Sequence, residues 1–279
     1  MAAYPAVSAP YGLKPVNLIG GQVFAGSTRN FPIQYNYGTA IFYGDSVALT
    51  AGYATLANTS STAISSANTV VGVFLGCYYT NPTTKQRQYA QYYPGNVLAG
   101  DITAIVADDP DVLMQVAATT TAGGTTIGSV SSILVGANIA GGTQTGSAST
   151  GNSSMSVLGA SVGTTTTFGF RVVQLIPDTQ ISTACTYVSG GAPAATSVVV
   201  SGLAVGTFLP IGTDLYNLVN GQLQFTGATV STAATVTTTG STTLTVTAIA
   251  TQVAGTVVLV QTPEAIVKYN FGVHRYNIA

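Results

Sequence analysis

The chain has 279 residues, enough to bury a full core in one large or two modest domains. Only 5% of them are charged, against about 25% in an ordinary globular protein, and the net charge is -1. That balance removes the electrostatic case for nucleic acid, which needs clustered Lys and Arg to neutralise phosphates.

With so few charges, Thr, Ser, Gly, Asn and Gln have to keep the surface wet, a composition that suits a protein packed against others. Mean hydropathy is positive, but Gly, Thr, Ser or Asn breaks every apolar stretch before the roughly 18 residues a spanning helix needs. The opening MAAYPAVSAPYGLKPV has neither a basic n-region nor an apolar h-region, so the expectation is a chain made and kept in the cytoplasm, with no membrane partner. Cys77 and Cys185 lie far apart and read as buried free thiols in a reducing compartment.

Residues 1–12 are small, Pro-containing and uncharged, an extended arm rather than a helix. From Leu13 to Leu49, LKPVNLI, NFPIQYNYG and TAIFYGDSVALT predict three strands, with Gly44-Asp45 as a tight turn. Eleven of the fifteen tyrosines fall before residue 94, and they serve either core and cross-strand packing or an exposed contact face. Residues 51–68 lack periodicity and predict a surface loop.

The segment from Thr69 to Ala117 predicts a four-stranded meander, punctuated by Asn81-Pro82, Pro94-Gly95 and Asp108-Asp109-Pro110-Asp111. Val70 to Tyr79 is almost continuously apolar and aromatic, as a strand buried on both faces is. Lys85 to Tyr93 alternates instead, which places Lys85, Arg87, Tyr89, Gln91 and Tyr93 on one face, wet or in contact with a partner.

Between Asp111 and Arg171 no residue is charged. Short strands joined by long polar loops are expected there, Gly141 to Ser154 being the most mobile stretch, before Phe168 to Ile176 restores a clear strand. Residues 179–262 are Thr- and Val-rich with one charge, Asp214, and predict strands at Val198 to Val200, Asp214 to Val219, Gln222 to Phe225 and Leu244 to Val246. Asn220-Gly221 is the sharpest hairpin signal in the chain. The closing EAIVKYNFGVHRYNIA returns to the composition of the first hundred residues.

No stretch has capped 3.6-residue periodicity, and Thr and Val abound, so the fold class is all-β. The expected architecture is an antiparallel sandwich or barrel-like body, 13–178 plus 263–279, with an inserted second small β module at 179–262.

Candidate chemistry is sparse. His274, the single histidine, has no nucleophile elbow to serve, and one histidine with two distant cysteines cannot supply a usual zinc set. Asp108, Asp109 and Asp111 offer oxygen ligands to calcium without EF-hand spacing, or simply form a solvated turn. Lys85 and Arg87 beside Tyr89, Tyr92 and Tyr93 are too few cations for single-stranded nucleic acid, and a protein contact is expected. No cofactor and no enzymatic activity are expected.

PYGLKPVNLIGG, TAIFYGDSVAL and VGVFLGCYYTNPTTKQRQYAQYYPGNVLAGDITAIVADDPDVLMQV resemble an abundant class of small structural proteins of tailed phages, widespread in marine phage genomes. The resemblance covers residues 10–175 and the last strand. Residues 195–248 separately resemble small β modules inserted in phage virion proteins. The resemblance implies a capsid decoration or cement protein on the outer surface of the virion head, with the major capsid protein and further copies of itself, as trimer or dimer, for partners. On that reading Tyr4 and Tyr11 of the arm, with Lys85, Arg87, Tyr89, Tyr92 and Tyr93, are the capsid or protomer contacts, and 179–262 faces outward. The competing expectation is a fibre or receptor-binding protein whose Thr-rich module recognises host glycans.

Overall fold

The computed structural model describes residues 7–58, 64, 69–121, 123–159, 168–270 and 274. In chain order its strands are β1 (Lys14–Leu18), β2 (Arg29–Pro32), β3 (Ser46–Thr50), β4 (Tyr53–Leu56), β5 (Val70–Thr80), β6 (Arg87–Ala90) and β7 (Thr103–Ala107). They continue with β8 (Val112–Thr119), β9 (Asn138–Ile139), β10 (Val157–Leu158), β11 (Phe170–Leu175), β12 (Ile181–Ser189), β13 (Ser197–Ser201) and β14 (Phe208–Leu209). The last are β15 (Asp214–Val219), β16 (Gln222–Thr229), β17 (Ala234–Thr235), β18 (Ser241–Thr245), β19 (Thr256–Gln261) and β20 (Glu264–Tyr269). The only helical elements among the described residues are the 3-10 turns Ser132–Leu134 and Pro177–Thr179, so the chain is all-β.

Two six-stranded sheets make a sandwich-like body. One runs β1-β8-β20-β11-β9 with β10 beside β8, the other β2-β7-β5-β3-β4 with β6 beside β5. Val112, Met114, Val116, Phe170, Val172 and Val267 of the first sheet pack on Val70 and Val73 of the second. The opposite face of the second sheet, with Val71, Phe74, Cys77 and Val106, is roofed by Ile33, Ile41, Tyr93 and Val97. Apolar material on both sides explains why β5 reads as an unbroken hydrophobic run. Ser46 Oγ of β3 and Tyr269 Oη of β20 hydrogen-bond at 2.7 Å across the sandwich.

Two expectations need correction. Residues 69–117 are not a meander: β7 lies on the opposite edge of β5 from β6, and β8 leaves for the other sheet, between β1 and β20. Eleven-residue β5 is long enough for β3 and β6 to share one edge, which leaves the other edge to β7. Gly72 permits that packing, because a Cβ there would lie 2.1 Å from the Ala107 carbonyl oxygen. Residues 51–68 are not all loop, since β4 pairs with β3 at their start, and most of the rest falls outside the described residues.

Gly141 to Ser154, expected as the most mobile stretch, is anchored at both ends. Gly141, Thr143 and Gln144 are buried, Gln144 bridges the Ser46 carbonyl (2.7 Å) and the Asn58 amide (2.9 Å), and Ser153 is buried beside Asp45.

A third sheet, β16-β15-β19-β12-β13-β18, is drawn wholly from residues 181–261 and has its own apolar core around Val198, Leu215, Leu244 and Leu259. Its edge strands meet just past their ends at the bridge Val230↔Val246, which curls the sheet into a barrel-like shape. Asn220 and Gly221 both have positive φ, the backbone that a two-residue hairpin requires, and they join β15 to β16. The flanking strands β11 and β20 pair with each other in the body. At the seam Ser129 Oγ donates to the Gly212 carbonyl at 3.1 Å, and Asp214 accepts from Ser131 and Ser132. Gly212 sits at φ +87, where an added Cβ would meet the Ser129 carbonyl oxygen at 2.2 Å.

Candidate contact surface

The turn between β5 and β6 is built by Asn81. Its side-chain oxygen accepts from the Thr83 and Thr84 amides (2.9 and 3.2 Å), and its backbone carbonyl accepts from the amide of Lys85, which takes a positive φ. The hairpin register then places Arg87 opposite Thr80 and Tyr89 opposite Tyr78. The Arg87 guanidinium carbon lies 4.2 Å from the Tyr78 ring centroid and 5.6 Å from that of Tyr89, while the two rings are 5.5 Å apart. Tyr89 is 70% exposed, and Lys85 and Arg87 are exposed beside it. Thr80 donates through its amide and hydroxyl to Asp101, and these bonds hold that carboxyl below its usual range. Among the described strands β6 pairs only with β5, so its outer edge is free.

Such an arrangement is suited to contact. Stacking on two rings removes rotamer freedom from Arg87 before any partner arrives, so ordering it on binding costs less. Tyr and Arg are also the side chains that concentrate binding energy at protein interfaces.

The other expected contacts are distributed differently. Tyr93 belongs to the core rather than to this face: it is fully buried, pairs with Ile41 and donates from Oη to the Tyr37 carbonyl at 2.7 Å. The alternation that placed it beside Tyr89 ends with β6 at Ala90, where the chain turns away to pair with Ile41. Tyr92 is half-buried and stacks on Phe42 at 5.3 Å. Tyr11 does not reach outward: its hydroxyl donates to the buried carboxylate of Glu264, and Lys14 lies 4.0 Å over its ring. Burial and the Glu264 carboxylate both raise the Tyr11 pKa. Tyr4 lies outside the described residues. Tyr78, which the sequence reading did not place on this face, stands beside Arg87 and Tyr89. Its alternation within a strand read as wholly buried is invisible until β6 leaves one edge of that face open.

Among the described residues the titratable groups sit in separate local contacts. Asp108 pairs with Arg29 at 3.1 Å, Asp109 caps the Asp111 amide at 2.8 Å, and Asp111 faces Lys268 at 3.5 Å. Each of the three carboxylates thus has its own partner, and no metal-binding group occurs among the described residues. His274 is fully buried against the Tyr269 ring, and burial lowers its pKa. Asp45 accepts from Ser153 Oγ at 2.5 Å and from the Phe42 amide at 2.8 Å, with burial pushing its pKa up to about 7. Asp45, Ser153 and His274 are each 2% exposed or less, which closes them to a substrate. Cys77 and Cys185 are buried free thiols pushed up to about 12 and about 11, far from thiolate reactivity.

No protein-family model matches the chain, and no curated protein or solved structure matches it. No helix among the described residues is long and apolar enough to cross a membrane.

Proposed function

We propose that this chain is a structural virion protein, a decoration or cement protein that binds the outer surface of a tailed-phage capsid and bridges its subunits. The observation that carries the reading is the exposed stack of Tyr78, Arg87 and Tyr89 on a free strand edge, a preformed anchor for a protein partner. A surface nearly devoid of charge supports it, because few ions need desolvating when large areas are buried across many symmetric copies. The hairpin of β15 and β16 adds half-exposed Leu218, Val219 and Leu223 on residues that carry no charge. The work of such a protein is area rather than chemistry: it offsets the pressure of packaged DNA by tying neighbouring subunits together.

The fibre alternative rests on stacking tyrosines in the Thr-rich module. Tyr187 packs against that module's core and Tyr216 against Phe225, which leaves both partly covered.

Quantifying the chain in purified virions by mass spectrometry, relative to the major capsid protein, tests the proposal. A copy number equal to, or a simple fraction of, that of the capsid protein is expected. A handful of copies per particle means a fibre or vertex protein, and absence from particles sinks both readings.

A further inference from the structure

On the outer face of the first sheet, Arg171 of β11 stands directly opposite Lys268 of β20. Like charges opposed across an antiparallel pair repel. Asp111, at 3.5 Å, answers Lys268 only, and the Arg171 side chain makes no ion pair or hydrogen bond among the described residues. The two cations line an open cleft of about 380 Å³ whose walls include Ile19 and Val135. Those apolar residues are 50% and 49% exposed. A cleft lined by both cations and apolar side chains calls for an acid set among apolar residues.

That inverse pattern exists on the same molecule. Asp178 sits in the 3-10 turn Pro177–Thr179, exposed, between Ile176 and Pro177 on one side and Ile181 on the other. Its carboxylate makes no ion pair or hydrogen bond among the described residues. Asp178 follows Arg171 by seven residues of mostly extended chain, which separates them by roughly 20 Å. Within one molecule the two cannot meet.

We infer that the Asp178 turn of one copy docks into the Arg171 and Lys268 cleft of a second copy. The contact joins two different patches, so it is heterologous, and repeating it generates a ring where the rotation closes. Charge complementarity selects a second copy: among the described residues Asp178 is the carboxylate left without an ion pair or hydrogen bond, and Arg171, like the exposed Lys85, is a cation left without one.

Sedimentation velocity on the purified full chain, over a micromolar concentration series and without capsids, tests the contact. The wild type associates, and association weakens as salt rises. Arg171→Glu and Asp178→Lys each weaken it at least about tenfold, because each places like charges together. The double variant carrying both changes restores it. Circular dichroism and a thermal melt verify folding, with Arg171→Gln and Asp178→Asn used where a reversal prevents it. A wild type that stays monomeric, single variants that associate like the wild type, or a folded double variant that stays dissociated each overturns the inference. Self-association is read in solution and capsid binding in virions, so either can fail without the other.

Discussion

The Asp214 carboxylate accepts one hydrogen bond from Ser131 Oγ at 2.6 Å and another from the Ser132 amide at 2.9 Å. Acceptor and donors lie on opposite sides of the seam between the third sheet and the body. Asp214 is the one charge between residues 179 and 262, and it is 2% exposed. Burial raises its pKa even though both bonds favour the ionised form. Replacing Asp214 by Ala leaves the buried Ser131 hydroxyl without its acceptor and is expected to cost about 1–3 kcal/mol. The urea midpoint of unfolding measures this, and Asp214→Asn, which keeps an acceptor, costs less. An alanine variant as stable as the wild type removes the seam bonds from the account.

Asp45 makes stability depend on pH. Its carboxyl titrates at about 7 in the folded chain against an ordinary 3.8, so the folded state holds the proton more tightly. The associated stability is complete below about pH 4, declines as pH rises through 7, and amounts to at most about 4 kcal/mol. Asp45→Asn keeps an acceptor for the Phe42 amide and cannot ionise. Thermal melts at pH 4.5 and pH 8 are expected to show the wild type losing stability relative to this variant at the higher pH. A constant difference between the two proteins contradicts the assignment.

Arg87 and Tyr89 separate contact from stability, and Tyr93 is the control. Arg87→Ala with Tyr89→Ala removes the exposed stack and is expected to lower capsid occupancy while stability shifts by no more than about 1 kcal/mol. Tyr93→Ala empties a fully buried site and is expected to cost about 3–5 kcal/mol. Occupancy that survives the first pair of changes takes this face out of the proposed capsid contact.

Calcium is expected to leave the fold unchanged. Asp108 and Asp111 face different cations and Asp109 caps a backbone amide, so binding would require breaking existing pairs. Melting temperatures in millimolar calcium and in chelator are expected to coincide. A calcium-dependent rise would mean that the turn rearranges.

Local signals were legible because their causes are local. Asn81-Pro82 and Asn220-Gly221 specify turns through their own side chains and backbone, and both turns are where the sequence places them. The all-β class follows in the same way from β-branched composition and the absence of helical periodicity, and β5 from its unbroken apolar run. Of the expected face, the exposure of Lys85, Arg87 and Tyr89 was legible, whereas Tyr93 turned inward and Tyr11 folded back onto Glu264.

Composition, turn chemistry and strand period are properties of neighbouring residues, and the sequence by itself determined them. Tertiary structure alone decided that β7 crosses to the far edge of β5, that β8 joins the other sheet, and that Asp214 docks on Ser131. Each depends on which surfaces remain uncovered once distant segments pack, and the two-residue period of a strand carries no information beyond the strand's end.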